Sequence, residues 1–146
     1  MGLFDKVFGG SQPEKLNAQE AFTGILFATV ASDGSISQEE MLSIVTILNR
    51  MKLYQGSSEK QMKAVLDKVM NILKKQGPAP IIAAARETLD VPMKETAFAV
   101  AADLMLADGT VADEEKKLLE ELQKALEIPD AQALKITEVL VIKNRG

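Results

Sequence analysis

The sequence predicts an all-α fold in a single domain. Apolar residues recur at spacings of three and four along almost every segment, and the alternating runs of half-buried strands are lacking. A chain of 146 residues, 47% of them apolar, also carries enough material for one continuous core. With five Phe, one Tyr and no Trp, that core is expected to be aliphatic.

The first helix is expected over residues 14–32, just after Pro13. Between Glu20 and Asp33 it carries no charge, so it should be buried nearly all round. Asp33-Gly34 ends it, because Gly tolerates the left-handed conformation that closes helices. Ser37 with Glu40 has the S-x-x-E form of a capping box. It opens a second helix to about residue 52, with Leu42, Val45, Leu48 and Met51 on its inner face. After a loop at 55–57, Ser58 with Gln61 forms another box. The third helix, to about residue 75, should bury Met62, Val65, Leu66, Val69 and Leu73. Gly77, Pro78 and Pro80 then break the chain before a short Ala-rich helix at 81–89, stopped by the Val91-Pro92 step. Pro92 suits a first helical position and starts a fifth helix, residues 92–107, almost free of charge after Glu95 except for Asp103. Asp108-Gly109 ends it. The sixth helix should bury Leu118, Leu119, Leu122 and Leu126, and the seventh, after Pro129, should bury Leu134, Ile136, Val139 and Leu140.

An internal repeat runs through this pattern. Asp33-Gly34-Ser35-Ile36-Ser37-Gln38-Glu39-Glu40 aligns with Asp108-Gly109-Thr110-Val111-Ala112-Asp113-Glu114-Glu115 at an offset of 108 − 33 = 75 residues. Each copy joins a buried helix to an amphipathic one. The architecture expected is therefore a compact bundle in which two similar helical hairpins pack about a pseudo-two-fold axis, with the third, fourth and seventh helices around them.

The turn has the second half of an EF-hand loop, with an oxygen ligand at position 5, Gly at 6, an apolar residue at 8 and Glu at 12. Positions 1 and 3 fall on Thr29 and Ala31 in one copy and on Leu104 and Leu106 in the other, so neither copy makes the standard calcium cage. Repeated about half a chain apart, the turn resembles that of the tellurite-resistance TerB family. The resemblance covers roughly residues 15–143 and rests on three stretches: Ala31-Ser32-Asp33-Gly34 with Glu39-Glu40, Glu95-Thr96-Ala97-Phe98-Ala99-Val100-Ala101-Ala102-Asp103, and Ala107-Asp108-Gly109 with Glu114-Glu115. The opening Met1-Gly2-Leu3-Phe4-Asp5-Lys6 also resembles many members. The resemblance implies a seven-helix bundle and a cytoplasmic protein of bacterial tellurite resistance or a related stress response. It further implies a cation or interaction site at Asp33, Glu40, Asp103, Asp108 and Glu115. Ala112 departs from the capping Ser37 of the first copy.

Composition narrows the chemistry. The formal charge is −4, and no basic run is long enough to neutralise many phosphates, which argues against nucleic acid. Without Cys there are no disulfides, thiolate nucleophiles or Cys-based metal sites; without His there are no Ser-His-Asp arrangements and no His-ligated metals. The chain is accordingly not expected to reduce tellurite by itself. No stretch approaches the ~20 apolar residues that span a bilayer, and no signal region opens the chain, so a cytoplasmic location is expected. The Met residues read as core filling.

The acidic residues have two readings. Carboxylates near helix N-termini are ordinary punctuation, favoured by the dipole, and Asp-Gly makes turns. If the two turns meet, however, Asp33, Glu40, Asp103, Asp108 and Glu115 share one region able to hold a hard cation such as calcium or magnesium. Asp103 interrupts an apolar helix where its repeat counterpart is Ala28; it needs a partner such as Arg86 or a ligand role. The expected function is a non-enzymatic binding module with a protein partner, as a monomer or weak dimer. The alternative is a carboxylate-dependent hydrolase with Lys or Tyr54 assisting. Residues 1–14 read as a flexible N-terminal segment ahead of the domain at 15–146. Its patch Leu3, Phe4, Val7 and Phe8, set off by Gly9-Gly10-Ser11, either contacts a membrane or partner through residues 1–8 or folds back on the bundle. Lys6 stands where a myristoylation signal wants Ser or Thr.

Overall fold

A computed structural model describes residues 15–31, 35–107 and 113–145. Among these residues there are seven α-helices and no strand. They are α1 (Ala18–Val30), α2 (Gln38–Arg50), α3 (Glu59–Gln76), α4 (Ala79–Thr88), α5 (Val91–Leu106), α6 (Asp113–Ala125) and α7 (Asp130–Lys143), with a single 3₁₀ turn, Lys52–Tyr54, after α2.

Local hydrogen bonding sets the starts of α1, α2, α3 and α5. Ser37 with Glu40 and Ser58 with Gln61 form the reciprocal capping boxes that their spacing predicts. Asn17 with Glu20 forms a third box, at 2.8 and 2.9 Å, so α1 begins later than residue 14. Similarly, the Asp90 side chain caps α5 by accepting from the Met93 N–H at 2.9 Å, which places Val91 ahead of Pro92 as its first residue. Gly77, at φ +76°, closes α3.

α1, free of charge after Glu20, lies at the centre, with every residue from Ala21 to Thr29 buried. It packs on α5, as its lack of charge predicts, but also on α3 and most extensively on α4. The Ala-rich α4 is thus not peripheral. Gly24 of α1 meets Ile81 of α4 so closely that a Cβ built on Gly24 would overlap Ile81 Cγ2, and the absence of a side chain is what lets the two helices approach. Ala97, Phe98 and Ala101 of α5 complete the centre, while Ala102 and Leu106 pack with Leu140 of α7.

Three apolar residues expected inside are outside. Leu42 is 69% exposed, and α2 instead buries Ile44 and Leu48. Met41, Ile44, Leu48 and Met51 form one stripe and Leu42 with Val45 a neighbouring one; packing on α1 and the 3₁₀ turn selects the first. In α7, Leu134 and Val139 are 60% and 62% exposed, while Ala133 and Leu140 face the bundle. That helix is apolar on most of its circumference, so periodicity could not say which side α5 would cover. No helix among the described residues is long and apolar enough to cross a membrane.

Candidate functional site

The ends of α1 and α5 and the first turns of α2 and α6 converge on one cleft of about 660 Å³. Its lining follows the repeat: Thr29 and Leu104, Val30 and Met105, Glu39 and Glu114, Glu40 and Glu115, and Ser43 and Leu118 each stand at the same 75-residue offset as the two turns. Two copies of one sequence pattern therefore face a common space. Each copy contributes one exposed carboxylate, Glu39 or Glu114, and one half-buried carboxylate, Glu40 or Glu115.

These four carboxylates sit in the first turns of α2 and α6, where the positive ends of the helix dipoles offset their mutual repulsion. Glu40 is also a cap: its Oε1 accepts from the Ser37 N–H at 3.0 Å, while the Ser37 hydroxyl accepts from the Glu40 N–H at 3.1 Å. Thr29 Oγ1 donates to the Ile25 carbonyl at 2.8 Å, a bond within its own helix. Among the described residues, no three carboxylates lie close enough together to hold a metal ion by themselves. Asp33 and Asp108 lie outside the described residues, as does Ala112.

Of the five acidic residues singled out from the sequence, the cleft brings Glu40 and Glu115 together. Asp103 faces elsewhere. Its Oδ1 accepts from Asn144 Nδ2 at 2.9 Å and from Lys143 Nζ at 3.2 Å, which ties α5 to the end of α7. Arg86, the partner expected for it, pairs instead with Glu127 at 3.4 Å. Ala28, the counterpart of Asp103 in the repeat, is instead buried in the core.

Among the described residues, two titratable groups are perturbed, and neither lines the cleft. A hydrogen bond from Lys94, with the charges of Arg86 and Lys94, holds the Glu127 carboxyl below the usual carboxylate range. Burial pushes the Tyr54 phenol well above its ordinary value. Tyr54 Oη donates to the Gln19 carbonyl at 2.7 Å and lies 2.7 Å from Thr23 Oγ1, so it fastens the 3₁₀ turn to α1 inside the core. The assisting role weighed for Tyr54 in a hydrolase would need a solvent-facing position that it does not have.

The family model described as Tellurite resistance protein TerB matches residues 19–138. The chain belongs to the TerB family. No curated protein and no solved structure matches it significantly. The TerB match spans every residue named in the cleft and ends within α7, short of Lys143 and Asn144. The Asp103 tie thus reaches beyond the matched TerB span, whereas the cleft lies wholly inside it. Glu39, Glu114, Thr29 and Ser43 were not singled out from the sequence as site residues; the 75-residue offset was the signal that could have found them.

Proposed function

We propose that this TerB-family chain is a non-enzymatic binding module of bacterial tellurite resistance or a related stress response, acting in the cytoplasm with a protein partner. Its cleft holds a divalent cation, calcium or magnesium, weakly. The observation that carries this reading is the repeat-paired lining, in which Glu39 and Glu40 from one copy oppose Glu114 and Glu115 from the other. Asp33 and Asp108 would complete the ligand set from the turns just before α2 and α6. Asp103, held by α7, serves as a structural tie in this scheme rather than as a ligand.

Hard carboxylate oxygens suit calcium and magnesium, and a chain without His or Cys offers little to zinc or copper. Calcium takes about six to eight oxygens, so a cleft that leaves several positions to water should bind only at roughly millimolar concentration. The test is calorimetric titration with calcium and with magnesium on the wild type, Asp108→Asn and Glu40→Gln. Glu40→Gln retains the capping-box geometry while removing the charge. Millimolar binding to the wild type, weakened about tenfold or more in both variants, is expected. If either ion stabilised the wild type and Asp108→Asn equally, the carboxylates would be helix punctuation and the proposal would fail.

A further inference from the structure

The bundle leaves a second, apolar groove of about 1050 Å³ between α4 and α6. Its walls are Ala79, Ile82 and Ala83 of α4 and Leu118, Leu122 and Ala125 of α6. The neighbouring stripe of α4, Ile81, Ala84 and Ala85, is buried towards α1, so the groove stripe is what α4 has left over. Small Ala side chains on both walls keep the groove concave. An open apolar hollow of this size on a small bundle wants an apolar occupant.

The sequence contains a segment suited to it outside the described residues. Leu3, Phe4, Val7 and Phe8 have the i, i+1, i+4, i+5 spacing of one helical face. They precede the TerB span at 19–138 and lie outside the described residues. Where the described chain begins decides whether they can reach. The Leu16 carbonyl accepts from Thr88 Oγ1 at 3.2 Å, so the chain enters beside the last residue of α4. Arg86 and Glu87, just before it, line that end of the groove. The six residues 9–14 between Phe8 and Lys15 can extend to about 20 Å. From Ala79 to Arg86 α4 rises only about 10 Å, so the whole groove lies within reach.

We infer that residues 3–8 dock in the α4–α6 groove of their own chain, with Phe4 and Phe8 filling the space that Ala79, Ala83 and Ala125 leave. The segment thereby closes an apolar surface which the seven helices do not cover among themselves.

The chain has no Cys, so an introduced pair is unambiguous. Val7→Cys is combined with Ala83→Cys, separately with Ala79→Cys, and, as a control, with Asn71→Cys. Asn71 is exposed about one turn along α3 from Lys68, whose Nζ lies 3.3 Å from the Lys15 carbonyl, so the control also lies within the reach of the segment. Under mild oxidation, intramolecular disulfide should form at Ala83→Cys or Ala79→Cys about tenfold faster than at the control, because docking raises the effective concentration of the thiol. Adding Phe4→Asp and Phe8→Asp should abolish the difference. Equal rates at groove and control would mean a mere tether and overturn the inference. A mainly dimeric product would overturn it in favour of a second copy. Absence of cross-linking at both groove positions in folded protein, with sedimentation of the chain on anionic phospholipid vesicles, would overturn it in favour of a lipid surface.

Discussion

Gly24→Ala is expected to destabilise this protein, although the same change at an ordinary helix position would stabilise it. Replacing Gly by Ala in a helix interior normally gains about 1 kcal/mol, through propensity and a less free unfolded chain. At position 24 the new Cβ overlaps Ile81 Cγ2, and both residues are fully buried, so the methyl group has no solvent into which to move. Overpacking of a tight core costs about 1–3 kcal/mol, and an overlap at a helix–helix contact belongs at the upper end of that range. The net expectation is a loss of about 2 kcal/mol, or roughly 4–8 °C in Tm for a domain of this size. Thermal and urea unfolding followed by circular dichroism would measure it. The decisive comparison is a double-mutant cycle with Ile81→Ala, which removes Cγ2 and alone costs about 2–5 kcal/mol. In that background Gly24→Ala should become stabilising by about 0.5–1 kcal/mol, because only the propensity gain survives. A raised Tm for Gly24→Ala in the wild-type background, or the same effect in both backgrounds, would refute close approach of α1 and α4 as the reason for the glycine.

Ala102→Leu, at a fully buried position facing Leu140, should cost about 1–3 kcal/mol by overpacking, and an unchanged urea midpoint would count against that contact. Asp103→Ala should lose about 1 kcal/mol and increase amide exchange at the end of α7, most of the effect coming from the Asn144 bond because the Lys143 side chain is largely exposed; Asp103→Asn, which keeps an acceptor for Asn144, should lose less. Glu127 has a folded pKa held below its ordinary 4.5, so its stabilising contribution is present above that value and is lost as pH falls through the depressed folded pKa. Wild type and Glu127→Gln should therefore differ in urea midpoint at neutral pH and converge as pH falls through the depressed folded pKa of Glu127; a constant difference across the range would show that Lys94 and Arg86 do not act on this carboxyl.

Much of this protein is decided within a few residues of chain, and that part could be read without a structure. The boxes at Ser37 with Glu40 and Ser58 with Gln61 form where their spacing places them, because a cap is a bond between neighbours. Freedom from charge between Glu20 and Asp33, and again after Glu95 with the exception of Asp103, suffices to send α1 and α5 to the centre, since little polar face remains to be solvated. The TerB resemblance and the repeat at 75 residues were equally plain, and the cap at Asn17 was present in the sequence though not singled out. Elsewhere periodicity stops short. Where a helix carries two apolar stripes, as α2 does, or is apolar on most sides, as α7 is, only the shape of its neighbour determines which residues are covered; Leu42, Leu134 and Val139 were left outside for that reason. The partner of Asp103 was undecidable along the chain, because Lys143 and Arg86 offer the same charge and packing of α5 on α7 brings one of them near. The cleft belongs to both kinds of knowledge. Its carboxylates are written twice in the sequence, but their meeting across α2 and α6 depends on two helical pairs closing on each other, and that is the work of the buried faces of α1 and α5 rather than of the acidic turns themselves.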